Sequence, residues 1–162
     1  MTVCVDARTG WLPMSSGVSS ESERVKSNSR VAFLHNHGTA SALWRQSAQA
    51  EIHEIMLDCS KVGWDGYDAA PISQESFLAA LEVINLLPEN TVPPSIAPEP
   101  SGDIALEWPN GNHILFSLSV TGRDIVYAAI LGGGSKLHGQ ERYFDLLPRP
   151  VVDILTRYFR KA

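Results

Sequence analysis

The chain has 162 residues, 44% of them apolar and 19% charged, with a formal net charge of −5. That length suits one domain with a real core, and the composition is ordinary for a globular chain. No run of 18 apolar residues occurs, and Met1 to Ser20 has no basic start leading into an apolar stretch, so neither a membrane span nor a secretory signal is expected. Cys4 and Cys59 alone make no disulfide framework, and the expected compartment is the cytoplasm.

Residues 1–37 show no sustained period. Seven serines crowd the span from Ser15 to Ser29, together with Gly10, Gly17 and several charges. Such a composition buries too little apolar surface to offset chain entropy, which predicts a mobile Ser-rich arm. Val31-Ala32-Phe33-Leu34 is an apolar island within it. Residues 38–162 are expected to form a single α+β domain.

A first helix is predicted from about residue 40 to about residue 60. Ile52, Ile55, Met56 and Cys59 follow i, i+3, i+4, i+7, a buried stripe. Glu51, Glu54 and Asp58 share a second face. A second helix opens at the N-cap Ser73 and closes before Pro88, with Phe77, Leu78, Leu81, Ile84 and Leu86 or Leu87 as its apolar face. Prolines 93, 94, 98 and 100 exclude a central strand, although Ser95-Ile96-Ala97 suits a short edge strand. Ile104, Leu106 and Trp108 alternate with polar or small residues, Asn110-Gly111 signals a hairpin, and His113–Val120 and Ile125–Leu131 supply two further strands. Gly132–Lys136 reads as a flexible connector, and residues 137–147 carry no clear pattern. A last helix follows Pro148 and Pro150, with Val151, Ile154, Leu155 and Tyr158 on its apolar face. The expectation is two helices, a three- to four-stranded antiparallel meander and a C-terminal helix, stacked as a two-layer sandwich.

Between the first two helices lies Gly63-Trp64-Asp65-Gly66-Tyr67-Asp68-Ala69-Ala70-Pro71-Ile72. It has two readings. One is a rigid connection in which the aromatics plug the core and the carboxylates bond backbone amides. The other is a recognition or catalytic loop.

No catalytic set closes elsewhere. His35-Asn36-His37 lacks the strand, helix and downstream histidine of a ββα-metal nuclease. Around His53, positions 49 and 57 are Gln49 and Leu57, so no second histidine shares its helix face. Lys136 is followed by Leu137-His138-Gly139, which does not open a helix as a phosphate-binding loop requires. Cys59 falls on a buried stripe, where a thiol is usually inert. Asp65, Asp68 and Glu107 would make a carboxylate set only if the loop lay over the sheet.

From Gly63 to Ile72 the chain resembles a group of small bacterial proteins sharing a G-W-D-G-x-x-A-x-P-I stretch. In that group the stretch is followed by a helix, a Pro-rich step and a strand ending in Glu-Trp, here Glu107-Trp108. The resemblance spans about residues 40–131. It implies a bacterial or phage source, often on a mobile element, and supplies no activity and no catalytic residue.

Residues 41–111 carry Arg45 and Lys61 against eleven acids, whereas residues 112–162 are net basic. An acidic middle disfavours direct nucleic-acid binding and suits docking on a basic protein, a class that includes nucleic-acid-binding proteins. The expected function is that of a non-enzymatic, protein-binding inhibitor or antitoxin-like regulator. Trp64, Asp65, Tyr67 and Asp68, with Glu51, Glu54 and Asp58 on the preceding helix, are its expected binding residues. No cofactor or metal is expected. The alternatives are a small carboxylate- or metal-dependent hydrolase built on the Gly63–Ile72 loop and a structural subunit of a larger assembly.

Overall fold

The computed structural model describes residues 40–111 and 113–161. The Ser-rich arm, the Val31–Leu34 island and His35–His37 lie outside them. Helix α1 spans Ala40–Asp58, α2 Gln74–Leu86 and α3 Arg149–Tyr158. Strands β1 (Ser95–Pro98), β2 (Ile104–Asn110), β3 (Ile114–Thr121), β4 (Asp124–Leu131) and β5 (Lys136–Arg142) form one antiparallel sheet in the order β1-β2-β3-β4-β5.

The fold is therefore α+β, with a meander of five strands where three or four were expected. The fifth strand, Lys136–Arg142, corrects the reading of Gly132–Lys136 as a flexible connector and supplies structure where residues 137–147 showed no clear pattern. Gly132, Gly133 and Gly134 have φ of 52°, 59° and 83°, a left-handed run that only glycine takes without strain, and the Ser135 N–H closes the turn on the Gly132 carbonyl at 3.2 Å. The chain reverses there, and Lys136–Arg142 pairs along β4. Exposure of nearly every residue of β5 explains why alternation did not reveal it.

One face of the sheet is apolar. Ile104, Leu106 and Trp108 register with Val120, Leu118 and Phe116, which register in turn with Ile125, Tyr127 and Ala129. All nine are buried, in one cluster with residues of the three helices. Phe116 stacks on Trp108 at 5.7 Å and on Phe159 at 6.2 Å between ring centroids, tying the end of α3 to the middle of the sheet. The Trp108 indole N–H donates to the Val92 carbonyl at 2.8 Å.

Helix α2 begins as expected, with Ser73 Oγ accepting the Ser76 N–H at 3.0 Å. Its buried face matches the expected one in part: Ile84 and Leu87 are buried and Phe77, Leu81 and Leu86 pack half-buried on the core, but the fully buried stripe is shifted toward small residues. Ser76, Ala79, Ala80, Val83 and Ile84 are buried, while Leu78 is exposed and Phe77 and Leu81 are half-buried. The small residues bring the helix backbone close to the sheet. Ser76 illustrates this: its hydroxyl donates to the Val120 carbonyl and accepts the Ile104 N–H at 2.8 Å. Phe77 instead faces α1, where His53 meets it edge-on at 5.0 Å. At the other end of α2, Arg45 of α1 reaches the Leu87 carbonyl at 2.7 Å and the Ile84 carbonyl at 3.2 Å, a cation on the negative end of the helix.

Candidate docking site

The segment from Cys59 to Ile72 leaves α1 and returns to the same place. The Ile72 N–H bonds the Cys59 carbonyl at 3.0 Å, and inside that closure the Gly63 N–H bonds the Ala69 carbonyl at 2.8 Å. Such a closed surface loop holds its shape by packing its own side chains inward. Trp64 does this here, half-buried against the core with its indole N–H on the Ala70 carbonyl at 2.8 Å. Ala69 and Ile72 are buried beside it.

Two glycines explain the spacing of the motif. Gly63 has φ +73°, and a β-carbon there would stand 2.9 Å from the Tyr67 carbonyl oxygen. Gly66 has φ +87°. Asp65 completes the turn, because its Oδ1 accepts the Tyr67 N–H at 2.9 Å and the Ala69 N–H at 3.3 Å. The loop is also stitched to the β1–β2 turn. The Ala70 N–H bonds the Pro100 carbonyl and the Ser73 N–H bonds the Gly102 carbonyl, each at 2.9 Å. Gly102 has φ +90°, and a β-carbon there would lie 2.7 Å from the Pro71 carbonyl oxygen. The structure thus gives Trp64 and Asp65 scaffold positions.

The other expected residues sit differently. The Tyr67 ring is 86% exposed near the loop tip, and Asp68 beside it is exposed. Glu51, Glu54 and Asp58 are exposed on α1. Sequence reasoning missed two neighbours, Leu57 at 74% and Val62 at 76% exposure. Leu57 was detectable as an apolar residue off the Ile52–Cys59 stripe, and Val62 as one directly before a turn glycine. Three large apolar side chains therefore stand in solvent within the eleven residues from Leu57 to Tyr67, with Asp58 and Asp65 between them and Glu54 and Asp68 flanking them.

Glu107 does not join Asp65 and Asp68 as an enzymatic reading would need. Glu107 alternates with buried Leu106 and Trp108, so it points to the sheet face away from the helices, whereas the loop joins two of them. Among the described residues no three His, Cys, Asp or Glu side chains are grouped to hold a metal ion. His53 lies on Phe77, with its Nδ1 2.7 Å from the Gln49 carbonyl. Cys59 is buried, and burial, with Asp58 adding to it, pushes its thiol pKa up, away from the reactive thiolate. No described helix is long and apolar enough to cross a membrane.

No family model matches the chain, and neither the curated proteins nor the solved structures contain a match to it.

Proposed function

We propose that this protein works by docking another protein onto the closed loop between α1 and α2, as an inhibitor or antitoxin-like regulator of the kind carried by bacterial or phage mobile elements. With the three helices taken as one layer and the sheet as the other, the loop stands at an edge of the helical layer. The observation that carries the reading is Tyr67. Its ring makes no contact that the fold requires, while Trp64, Asp65, Gly63 and the Pro100–Gly102 turn hold the loop rigid beneath it. A preorganised aromatic residue loses little entropy on binding. Leu57, Val62 and Tyr67 supply apolar contact, and Glu51, Glu54, Asp58 and Asp68 an acidic rim. That combination of aromatic anchor and charged rim suits a partner with a basic surface.

The test is an association-rate measurement with the partner captured from cells that express the protein naturally. Tyr67→Ala raises the dissociation rate and leaves thermal stability unchanged. Asp68→Asn combined with Glu54→Gln and Asp58→Asn slows association at low salt, with a smaller effect at high salt, because screening acts mainly on exposed charges. Equal rates for wild type and the triple variant at low salt end the acidic-docking reading. Unchanged dissociation with Tyr67→Ala ends the role of the loop tip.

A further inference from the structure

The sheet face turned away from the helices carries a groove that the docking loop does not use. Its larger part, a cavity of about 710 Å³, lies between the β2–β3 turn and the β4–β5 turn, with Leu115 and Ile130 in its floor. A second cavity of about 270 Å³ continues from the same two residues past Ser117 and Ala128 to Lys136 and His138. Register explains the depression: Ser117 stands opposite Ala128, two small side chains, and the row beside them pairs Leu115 with Ile130. Leu115 and Ile130 remain 38% and 41% exposed there.

The polar lining is one-sided. Neither cavity is lined by a carboxylate among the described residues, although the chain is net acidic. The polar groups of the larger cavity are His113 and the backbone of Gly133 and Gly134, and those of the smaller one, which shares Leu115 and Ile130 with it, are Lys136, His138 and Ser117. The left-handed turn at these glycines uses the Gly132 carbonyl and the Ser135 N–H, and neither Gly133 nor Gly134 gives its own N–H to an acceptor among the described residues. Successive amides in such a turn are left as donors for an anion, much as at the start of a helix. A concave apolar floor with a few convergent donors is the usual make-up of a small-ligand site, and the larger cavity has a suitable size.

We propose that this groove binds a small amphiphilic anion, an apolar chain or ring bearing one carboxylate. Its apolar body lies on Leu115 and Ile130. Its carboxylate takes the Gly133 and Gly134 amides and the Lys136 ammonium. The inference is independent of the docking loop, on the other side of the fold.

The probe is decanoate below its micelle-forming concentration, added to the full ¹⁵N-labelled chain and followed by amide shifts. Expected are saturable shifts centred on Leu115, Ile130, Gly133 and Gly134, and no saturation with decyltrimethylammonium, which has the same tail and the opposite charge. Lys136→Glu, at an exposed position, weakens binding roughly tenfold or more, as loss of a charge-assisted contact does. Tyr67→Ala leaves it unchanged. Shifts that never saturate, shifts centred elsewhere, equal binding of the cationic amphiphile, or undiminished binding by Lys136→Glu each overturn the proposal.

Discussion

The ring of Tyr127 lies over Gly139 on the neighbouring strand. The two are directly paired in register, and a β-carbon added at Gly139 would stand 2.5 Å from the Tyr127 Cζ. A glycine in an edge strand normally weakens it, because there is no side chain to pack. Here the tyrosine fills the space, and its own burial depends on the missing methyl. Gly139→Ala is therefore expected to destabilise the protein by roughly 1–3 kcal/mol, the range for overpacking. In a Tyr127→Ala background the same change costs little. Denaturant titration of the two single variants and the double variant measures the coupling. Additive losses contradict the contact.

Ser76 is the polar link between α2 and two strands. Its hydroxyl serves the Val120 carbonyl and the Ile104 N–H in a buried site. Ser76→Ala leaves both backbone groups without that partner, at a cost of about 1–3 kcal/mol for an unmet buried group. Hydrogen exchange gives the specific readout. The Ile104 amide loses more protection than its neighbours on β2, whereas a general loss across β2 points to simple destabilisation.

Asp65 and Asp68 differ in role despite standing three residues apart in one loop. Asp65 accepts two backbone amides, so Asp65→Ala lowers stability by about 1 kcal/mol and Asp65→Asn by less, since the Asn side-chain oxygen also accepts such bonds. Asp68 is exposed and changes little on substitution. Thermal melts of Asp65→Ala, Asp65→Asn and Asp68→Ala give the order. Equal melting of all three removes Asp65 from the turn.

Tyr143 couples stability to alkaline pH. It is buried, its hydroxyl donates to the Gly122 carbonyl at 3.2 Å, and Glu82 Oε2 lies 3.5 Å away. Burial first, then the Glu82 charge, push the phenol pKa up to about 12 from an ordinary value of 10, against the downward pull of Arg123. Between those values the folded chain keeps a proton that the unfolded chain has lost. Stability tied to this group is thus fully present below pH 10 and is lost as pH rises toward 12. Urea midpoints fall across that window in wild type and fall less in Tyr143→Phe. Parallel curves for the two proteins contradict the assignment.

Sequence alone determined the parts whose signals are local. The Ser73 cap, the Asn110-Gly111 hairpin and the alternation of Ile104, Leu106 and Trp108 each depend on residues a few positions apart, where backbone sterics and side-chain period act directly. The glycines of Gly63–Ile72 also marked a constrained loop. Tertiary structure decided the rest. Lys136–Arg142 is exposed on almost every side chain, so its strand exists through pairing with β4 and through Tyr127 over Gly139, neither visible as a pattern within seven residues. Helix α2 turns Ser76, Ala79 and Ala80 inward beside Val83 and Ile84 and leaves Leu78 in water, because the bonds of Ser76 to two strands fix which face of the helix meets the sheet. The division of the loop into scaffold (Gly63, Trp64, Asp65) and exposed tip (Tyr67, Asp68) likewise followed from closure of the chain on Cys59 and Ala69 and from its bonds to Pro100 and Gly102. Those contacts span up to about thirty residues of sequence, and no local period encodes them.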